Sequence, residues 1–191
     1  MVSQKIPVIL ASQSPRRIEL LKTIIENFLI IPSNTDEVCD INLSPEENAI
    51  MLGRNKATCV AKHHPNSLVI GADTMVVFKK KILGKPTDIE NARQILRQLS
   101  GQEHEVITGI TLVHSQILSA YQISRVRMKN LNSKDINSYV ESGEPMDKAG
   151  AYAIQGEGSF LVESYSGSYT NIIGLPMELL ANLLQKLNFS I

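Results

Sequence analysis

The chain has 191 residues, 43% of them hydrophobic and 20% charged, which suffices to bury a substantial core and excludes a disordered chain. Nineteen basic residues balance nineteen acidic ones, so we expect no binding to a nucleic acid polymer through its phosphates. No apolar run approaches the roughly 20 residues that a membrane span requires, and we expect no membrane association.

The two cysteines, Cys39 and Cys59, are too few for a disulfide framework and form no C-x-x-C pair. We expect both to be reduced and mostly structural. The first apolar run, residues 7–11, precedes the nearby arginines, whereas a signal peptide places its positive charge before the apolar stretch. These features favour a cytoplasmic protein. No linker or repeat interrupts the sequence, so we expect a single domain over residues 1–191.

The first part of the chain alternates strand and helix patterns. Residues 8–10 form an apolar run that predicts a buried strand. Ser14 followed by Pro15 predicts the start of a helix, because serine is a favoured N-cap and proline a favoured first helical residue. A capping box at residues 44–47 predicts a second helix, which runs to Lys62.

The next strand is predicted in two pieces, residues 68–70 and 75–78, because Gly-Ala-Asp-Thr at 71–74 interrupts the apolar pattern. The lysines at 79–81 predict an exposed turn. A second capping box, at residues 87–90, predicts the start of another helix.

Strands follow one another in the second half. Residues 106–113 and 117–128 are rich in β-branched side chains and predict paired strands. A short helix at 133–140, a strand at 160–165 and a closing amphipathic helix at 177–187 complete the chain. This order of elements predicts an α/β fold with a mixed sheet.

Residues 12–17, Ser-Gln-Ser-Pro-Arg-Arg, are the first candidate for ligand binding. A strand-to-helix turn presents backbone N–H groups at the positive end of a helix dipole, and arginines form bidentate bonds with phosphate. The segment therefore favours phosphate binding, and an ordinary capped helix with solvated arginines is the alternative. No Walker phosphate loop, zincin helix or nucleophile elbow is present.

Asp73 is the second candidate, because a carboxylate within an apolar strand pattern is costly unless it is paired, protonated or bound to metal. The small residues Gly71 and Ala72 leave room for a ligand, and Lys85 could return near the same place. Asp73 suits either a general base for water or a ligand to a hard cation. A turn aspartate at a strand end is the third possibility.

Residues 143–156 combine the Asp147-Lys148 pair, several small residues and the Gln155 amide. Such a stretch can bring polar groups to a ligand at close backbone approach, and a glycine-rich surface loop has the same composition.

These segments jointly resemble the Maf family of nucleoside triphosphate pyrophosphatases. The matching motifs occur in family order, at residues 10–17, 71–74, 83–86, 99–101, 147–156, 167–171 and 174–176. The resemblance implies an elongated mixed sheet flanked by helices, with two lobes around a nucleotide cleft as in the inosine triphosphatases. It also implies hydrolysis between the α and β phosphates with a divalent cation, Mg²⁺ or Mn²⁺, and a homodimer.

The resemblance also implies residue roles. The catalytic carboxylate, proposed as proton acceptor, falls on Asp73, and Glu37 shares with it the metal-binding role. Whether Asp73 acts as base or as metal ligand stays open. The phosphate and cleft positions fall on Ser12, Arg17, Lys56 and Lys85. Asn55 departs from the family pattern, in which a glutamate is expected.

Substrate choice follows from the branch that the chain resembles. Arg16, Thr74 and Gln155 resemble the branch that hydrolyses dTTP and UTP in the house-cleaning of nucleotide pools. The branch that prefers 7-methyl-GTP typically carries Ser-Asp-Gln around the catalytic aspartate, where this chain has Ala-Asp-Thr. A pyrophosphatase of modified purine triphosphates and a nucleotide-binding regulator of septum formation are the alternative functions.

Overall fold

The computed structural model describes residues 6–189, which divide into two compact units, each built from separate stretches of the chain. Unit 1 comprises the residues up to Asp73, Thr108–Gln122 and the residues from Gly174 onward. Unit 2 comprises Thr74–Ile107 and Ile123–Ile173. The single domain over 1–191 stays a prediction, and its two ends lie outside the described residues. No helix within residues 6–189 is long and apolar enough to cross a membrane.

Seven strands form one mixed sheet: β1 (Val8–Leu10), β2 (Leu29–Ile30), β3 (Leu68–Phe78), β4 (Lys81–Leu83), β5 (Glu103–Val113), β6 (Ile117–Met128) and β7 (Val162–Ser166). Their order is β2-β1-β3-β5-β6-β7, with β4 paired to β3. β1 pairs in parallel with β2 and β3, whereas the β3–β4 and β6–β7 pairs are antiparallel. The predicted mixed sheet is confirmed.

Within residues 6–189, six α-helices accompany the sheet: α1 (Pro15–Lys22), α2 (Pro45–Ala61), α3 (Ile89–Leu99), α4 (Ser133–Glu141), α5 (Tyr169–Ile173) and α6 (Met177–Lys186). α1 begins after the predicted Ser14 cap position, although the Ser14 side chain makes no capping hydrogen bond. α2 begins with the predicted capping box, in which the Ser44 hydroxyl accepts from the Glu47 N–H. Both helix starts are therefore as predicted, α2 through its capping box and α1 through the proline at its first position.

In unit 1, helices cover both faces of the sheet, because successive side chains of a strand point to opposite faces. Leu10 and Ile70 belong to an apolar cluster with residues of α1 and α6. Their strand neighbours Ile9 and Val69 belong to a second cluster with residues of α2. The strands are consequently apolar on both faces, and a charged side chain among them requires a partner.

The core of unit 2 joins α3 and α4 to the sheet. Leu96 and Leu99 of α3 and Tyr139 of α4 lie in one cluster with Val126 and Met128 of β6. Three short 3-10 helices follow α4, at Glu144–Asp147, Ala149–Ala151 and Gly156–Leu161. These helices give regular backbone structure to most of residues 143–156, for which the sequence allowed two interpretations, a ligand-binding segment or a surface loop.

Several predicted element boundaries are wrong. β5, predicted to start at residue 106, starts at Glu103. β3 runs without interruption through residues 71–74. α3 begins after Asp88 and not after Thr87, because the Asp88 carboxylate accepts the Asn91 N–H at 2.8 Å. The strand predicted at 160–165 begins only at Val162, because the preceding residues form a 3-10 helix. Among the described residues, β2, β4, α5 and three 3-10 helices were not predicted, because they lack a long periodic pattern. Lys81, predicted to lie in an exposed turn, is the first residue of β4.

Candidate active site

Helix α2 lies against the sheet at backbone contact distance, because glycines occupy the points of closest approach. A methyl group on Gly71 of β3 would lie 2.7 Å from the Ala57 nitrogen. One on Gly109 of β5 would lie 2.5 Å from the Ile50 nitrogen. The small residues Gly71 and Ala72 predict room for a ligand; beside Gly71 this is wrong, because α2 fills the space. A glycine inside a strand pattern is a signal of such close backbone approach.

This approach places the Lys56 ammonium between two carboxylates. Lys56 Nζ lies 2.6 Å from Asp73 Oδ1 and 2.5 Å from Glu37 Oε1. Lys56 and Asp73 are both buried, 7% and 8% exposed, whereas Glu37 comes from an exposed loop segment. The buried carboxylate that the sequence singled out therefore has a cationic partner, as its burial requires.

The turn between β1 and α1 adds a second cation to unit 1. Arg17 lies in the first turn of α1 and donates from Nε to the Gly174 carbonyl at 2.8 Å. Its Nη1 donates to the Ser12 hydroxyl at 3.4 Å, and the Ser14 N–H donates to the same hydroxyl at 3.2 Å. Arg17 is thus fixed by the chain and is not merely a solvated arginine. The hydrogen bond from Arg17 to the Gly174 carbonyl was not predicted, because nothing local in the sequence links positions 17 and 174.

The charges of these groups act on one another. Burial lowers the pKa of the Arg17 guanidinium from its ordinary value, whereas the negative charges of Asp73 and Glu37 oppose that change and Arg16 supports it. A guanidinium that has lost hydration gains from an anion beside it. Cys39 is exposed, and partial desolvation together with the negative charge of Asp73 raises the pKa of its thiol. Cys39 and Cys59 are both free thiols, as expected.

Glu37 and Asp73 are the residues of unit 1 that fit a divalent cation. Within the described residues, no cluster of three or more His, Cys, Asp or Glu side chains suits a metal ion. Mg²⁺ typically binds one or two carboxylates and takes its other ligands from substrate phosphates and water. The two carboxylates therefore fit a cation that binds together with the triphosphate. They are too few to hold a metal ion by protein ligands alone.

The structure brings together five of the predicted site residues in unit 1, namely Ser12, Arg17, Glu37, Lys56 and Asp73. Arg16 follows Pro15 in α1 and acts electrostatically on Arg17. The remaining predicted residues, Thr74, Lys85 and Gln155, belong to unit 2. Thr74 continues β3 directly after Asp73, Lys85 is exposed beyond β4, and Gln155 immediately precedes the last 3-10 helix.

Comparisons with known proteins identify the family of the chain. A family model described as Maf-like protein matches residues 7–187. The dTTP/UTP pyrophosphatase of Caldicellulosiruptor saccharolyticus is 44% identical over 191 residues, covering 96% of both chains. That of Clostridioides difficile is 46% identical over 182 residues, covering 94% of both. A crystal structure of a nucleoside-triphosphatase / dITP/XTP pyrophosphatase from Mycobacterium abscessus aligns with a TM-score of 0.49 and 14% identity, covering 94% of each chain. With the family model spanning nearly its whole length, this chain belongs to the Maf family.

Proposed function

We propose that this protein is a nucleoside triphosphate pyrophosphatase that hydrolyses dTTP and UTP to the monophosphate and pyrophosphate. The observation that carries the proposal is the Lys56 ammonium between Glu37 and Asp73, in the same unit as Arg17, the half-buried arginine of a strand-to-helix turn. Family membership and the names of the relatives support the substrates. Membership alone leaves open the modified purine triphosphates, which the same assay includes.

In the proposed reaction, water attacks the α phosphorus. A bond forms between the water oxygen and that phosphorus, and the bond from the α phosphorus to the bridging oxygen breaks. Pyrophosphate leaves with the bridging oxygen, and Asp73 accepts the proton that the attacking water loses. Lys56 holds the Asp73 carboxylate in one orientation through its 2.6 Å contact, which restricts where the accepting oxygen can lie.

The cationic side chains of the site would balance the negative charge of the triphosphate. Arg17, fixed by the Gly174 carbonyl, would pair with phosphate oxygens at the N-terminus of α1. Ser12 holds the Arg17 guanidinium on its other side, and Lys85 would contribute a further positive charge. When a divalent cation is bound, Glu37 and Asp73 would hold it, and it would neutralise negative charge on the phosphates. Phosphoryl transfer depends mainly on such positioning and charge stabilisation.

Nucleobase choice is assigned to Arg16, Thr74 and Gln155. A thymine or uracil edge offers carbonyl acceptors beside an N–H donor, and the Gln155 amide supplies both polarities. Loss of one specific buried hydrogen bond discriminates more sharply between substrates than a change of pocket volume does. The expected homodimer and cytoplasmic location remain predictions.

The proposal is tested by the products formed from a panel of nucleotides in the presence of Mg²⁺ or Mn²⁺. We expect dTTP and UTP to give the monophosphate and pyrophosphate at higher kcat/KM than CTP or 7-methyl-GTP. Diphosphate and orthophosphate as the first products would refute the cleavage position. A preference for 7-methyl-GTP would refute the base assignment alone. Nucleotide binding without turnover in wild type would favour the regulatory alternative.

A further inference from the structure

The segment that carries Gln155 is attached to unit 2 on both sides by side chains from elsewhere in the chain. Two residues before Gln155, the Ala153 N–H donates to the Tyr139 hydroxyl of α4 at 3.2 Å. Three residues after it, the Gly158 N–H donates to Glu144 Oε2 at 2.9 Å. Gln155 itself has extended backbone, with φ −107° and ψ 167°, directly before the 3-10 helix.

The fit of this segment around its two anchors is close. A methyl group on Gly158 would lie 2.7 Å from the Tyr139 hydroxyl and 2.5 Å from the Ala153 carbonyl oxygen. A methyl group on Gly156, where φ is +70°, would overlap a carboxyl oxygen of Glu144. The absence of a side chain at Gly156, directly after Gln155, therefore makes room for the Glu144 carboxylate.

Glu144 is itself held from several directions. It begins the 3-10 helix at Glu144–Asp147, its N–H donates to the Ser142 hydroxyl at 3.1 Å, and its carbonyl accepts from Lys148 Nζ at 3.3 Å. Tyr139, the other anchor, is 1% exposed in the core of unit 2. The hydrogen bond from Gly158 thus connects the Gln155 segment to a support that is already ordered.

We propose that Glu144 is a positioning residue for nucleobase selection, acting through the Gly158 N–H on the backbone that presents the Gln155 amide. The inference rests on the proposed function, in which Gln155 contacts the base. An amide discriminates between bases only while its donor and acceptor stay at fixed positions, and a carboxylate oxygen is a strong acceptor for the backbone N–H that holds them. Glu144 touches neither phosphate nor base in this role.

The test compares UTP with CTP, which share ribose and triphosphate and differ at the C4 substituent, carbonyl against amino, and at N3, donor against acceptor. In Glu144→Ala, the ratio of kcat/KM for UTP to that for CTP should fall by about tenfold, the scale of one lost specific contact. The inhibition constant of inorganic triphosphate against UTP hydrolysis should stay at the wild-type level. Glu144→Gln retains an acceptor oxygen and should recover most of the ratio. Glu157→Ala removes a neighbouring exposed carboxylate and should leave the ratio unchanged.

Gln155→Ala, alone and combined with Glu144→Ala, separates the possible failures. If Glu144 acts through Gln155, the double variant has the same ratio as Gln155→Ala. A wild-type ratio in Glu144→Ala, with a reduced ratio in Gln155→Ala, would overturn the positioning role and leave the proposed function intact. An equal loss of kcat/KM for UTP and for CTP in Glu144→Ala would likewise overturn it. Absence of monophosphate and pyrophosphate from UTP with wild type would refute the proposed function instead.

Discussion

The buried imidazole of His104 should make stability depend on pH. His104 is 2% exposed in β5, and its Nε2 lies 2.7 Å from the Tyr152 hydroxyl. Burial lowers the pKa of His104 from its ordinary 6.5 to about 4. The unfolded chain therefore binds more protons than the folded chain in this interval. The free energy of unfolding should decrease as the pH falls from about 6.5 towards 4.

The size of the effect follows from the two pKa values. The interval between 6.5 and about 4, at about 1.4 kcal/mol for each pKa unit, corresponds to about 3 kcal/mol of lost stability below pH 4. About 2 kcal/mol of it should already be lost at pH 5. A loss of that size is a large share of the stability of an ordinary domain.

Urea unfolding, followed by circular dichroism at steps between about pH 7 and pH 5, measures this loss directly. The variant His104→Gln cannot be protonated and should lose about 2 kcal/mol less than wild type over that range. Tyr152→Phe removes the hydroxyl partner and keeps the imidazole buried, so it should retain the wild-type dependence on pH. Equal dependence on pH in wild type and His104→Gln would refute the assignment.

Three further substitutions test the site and the fold. Asp73→Asn keeps the side-chain shape without the negative charge and should lower turnover of dTTP by about 100-fold. The control Asp36→Asn, at an exposed position, should leave turnover unchanged. Near-native turnover of folded Asp73→Asn would show that another residue has the catalytic role. Arg17→Ala should raise KM for dTTP and lower the free energy of unfolding by about 1 kcal/mol, because the hydrogen bond to the Gly174 carbonyl is lost. The exposed control Arg54→Ala should leave KM unchanged. An unchanged KM in Arg17→Ala would exclude triphosphate binding by Arg17. Lys80→Gly relieves a positive φ of 65° in the β3–β4 turn and should raise stability by about 1 kcal/mol in thermal unfolding; a lower melting temperature would contradict this.

The location of Asp73 could be predicted from local physics, but its partners could not. A carboxylate in an apolar strand demands compensation, and that rule alone identifies the position. The compensating Lys56 is 17 residues away and Glu37 is 19 residues from Lys56, so no spacing rule links the three. Their roles were assigned through resemblance to a family, and the structure adds the contacts.

Local signals also explain which elements were predicted well. The capping box at Ser44 and the proline at position 15 each predict the start of a helix from a few neighbouring residues. β3 was divided wrongly because the small and polar residues at 71–74 are not apolar, although the neighbouring strands and α2 keep them in the sheet. β2 has only two residues and owes its conformation to pairing with β1, which the sequence does not display.

The most direct test of the proposed reaction is hydrolysis of dTTP in water enriched in ¹⁸O, with mass analysis of both products. Attack on the α phosphorus should place one ¹⁸O in the thymidine monophosphate and leave the pyrophosphate unlabelled. Label in the pyrophosphate would show attack on the β phosphorus and contradict the mechanism assigned to Asp73. Label in orthophosphate, with thymidine diphosphate as the other product, would contradict the pyrophosphatase activity itself.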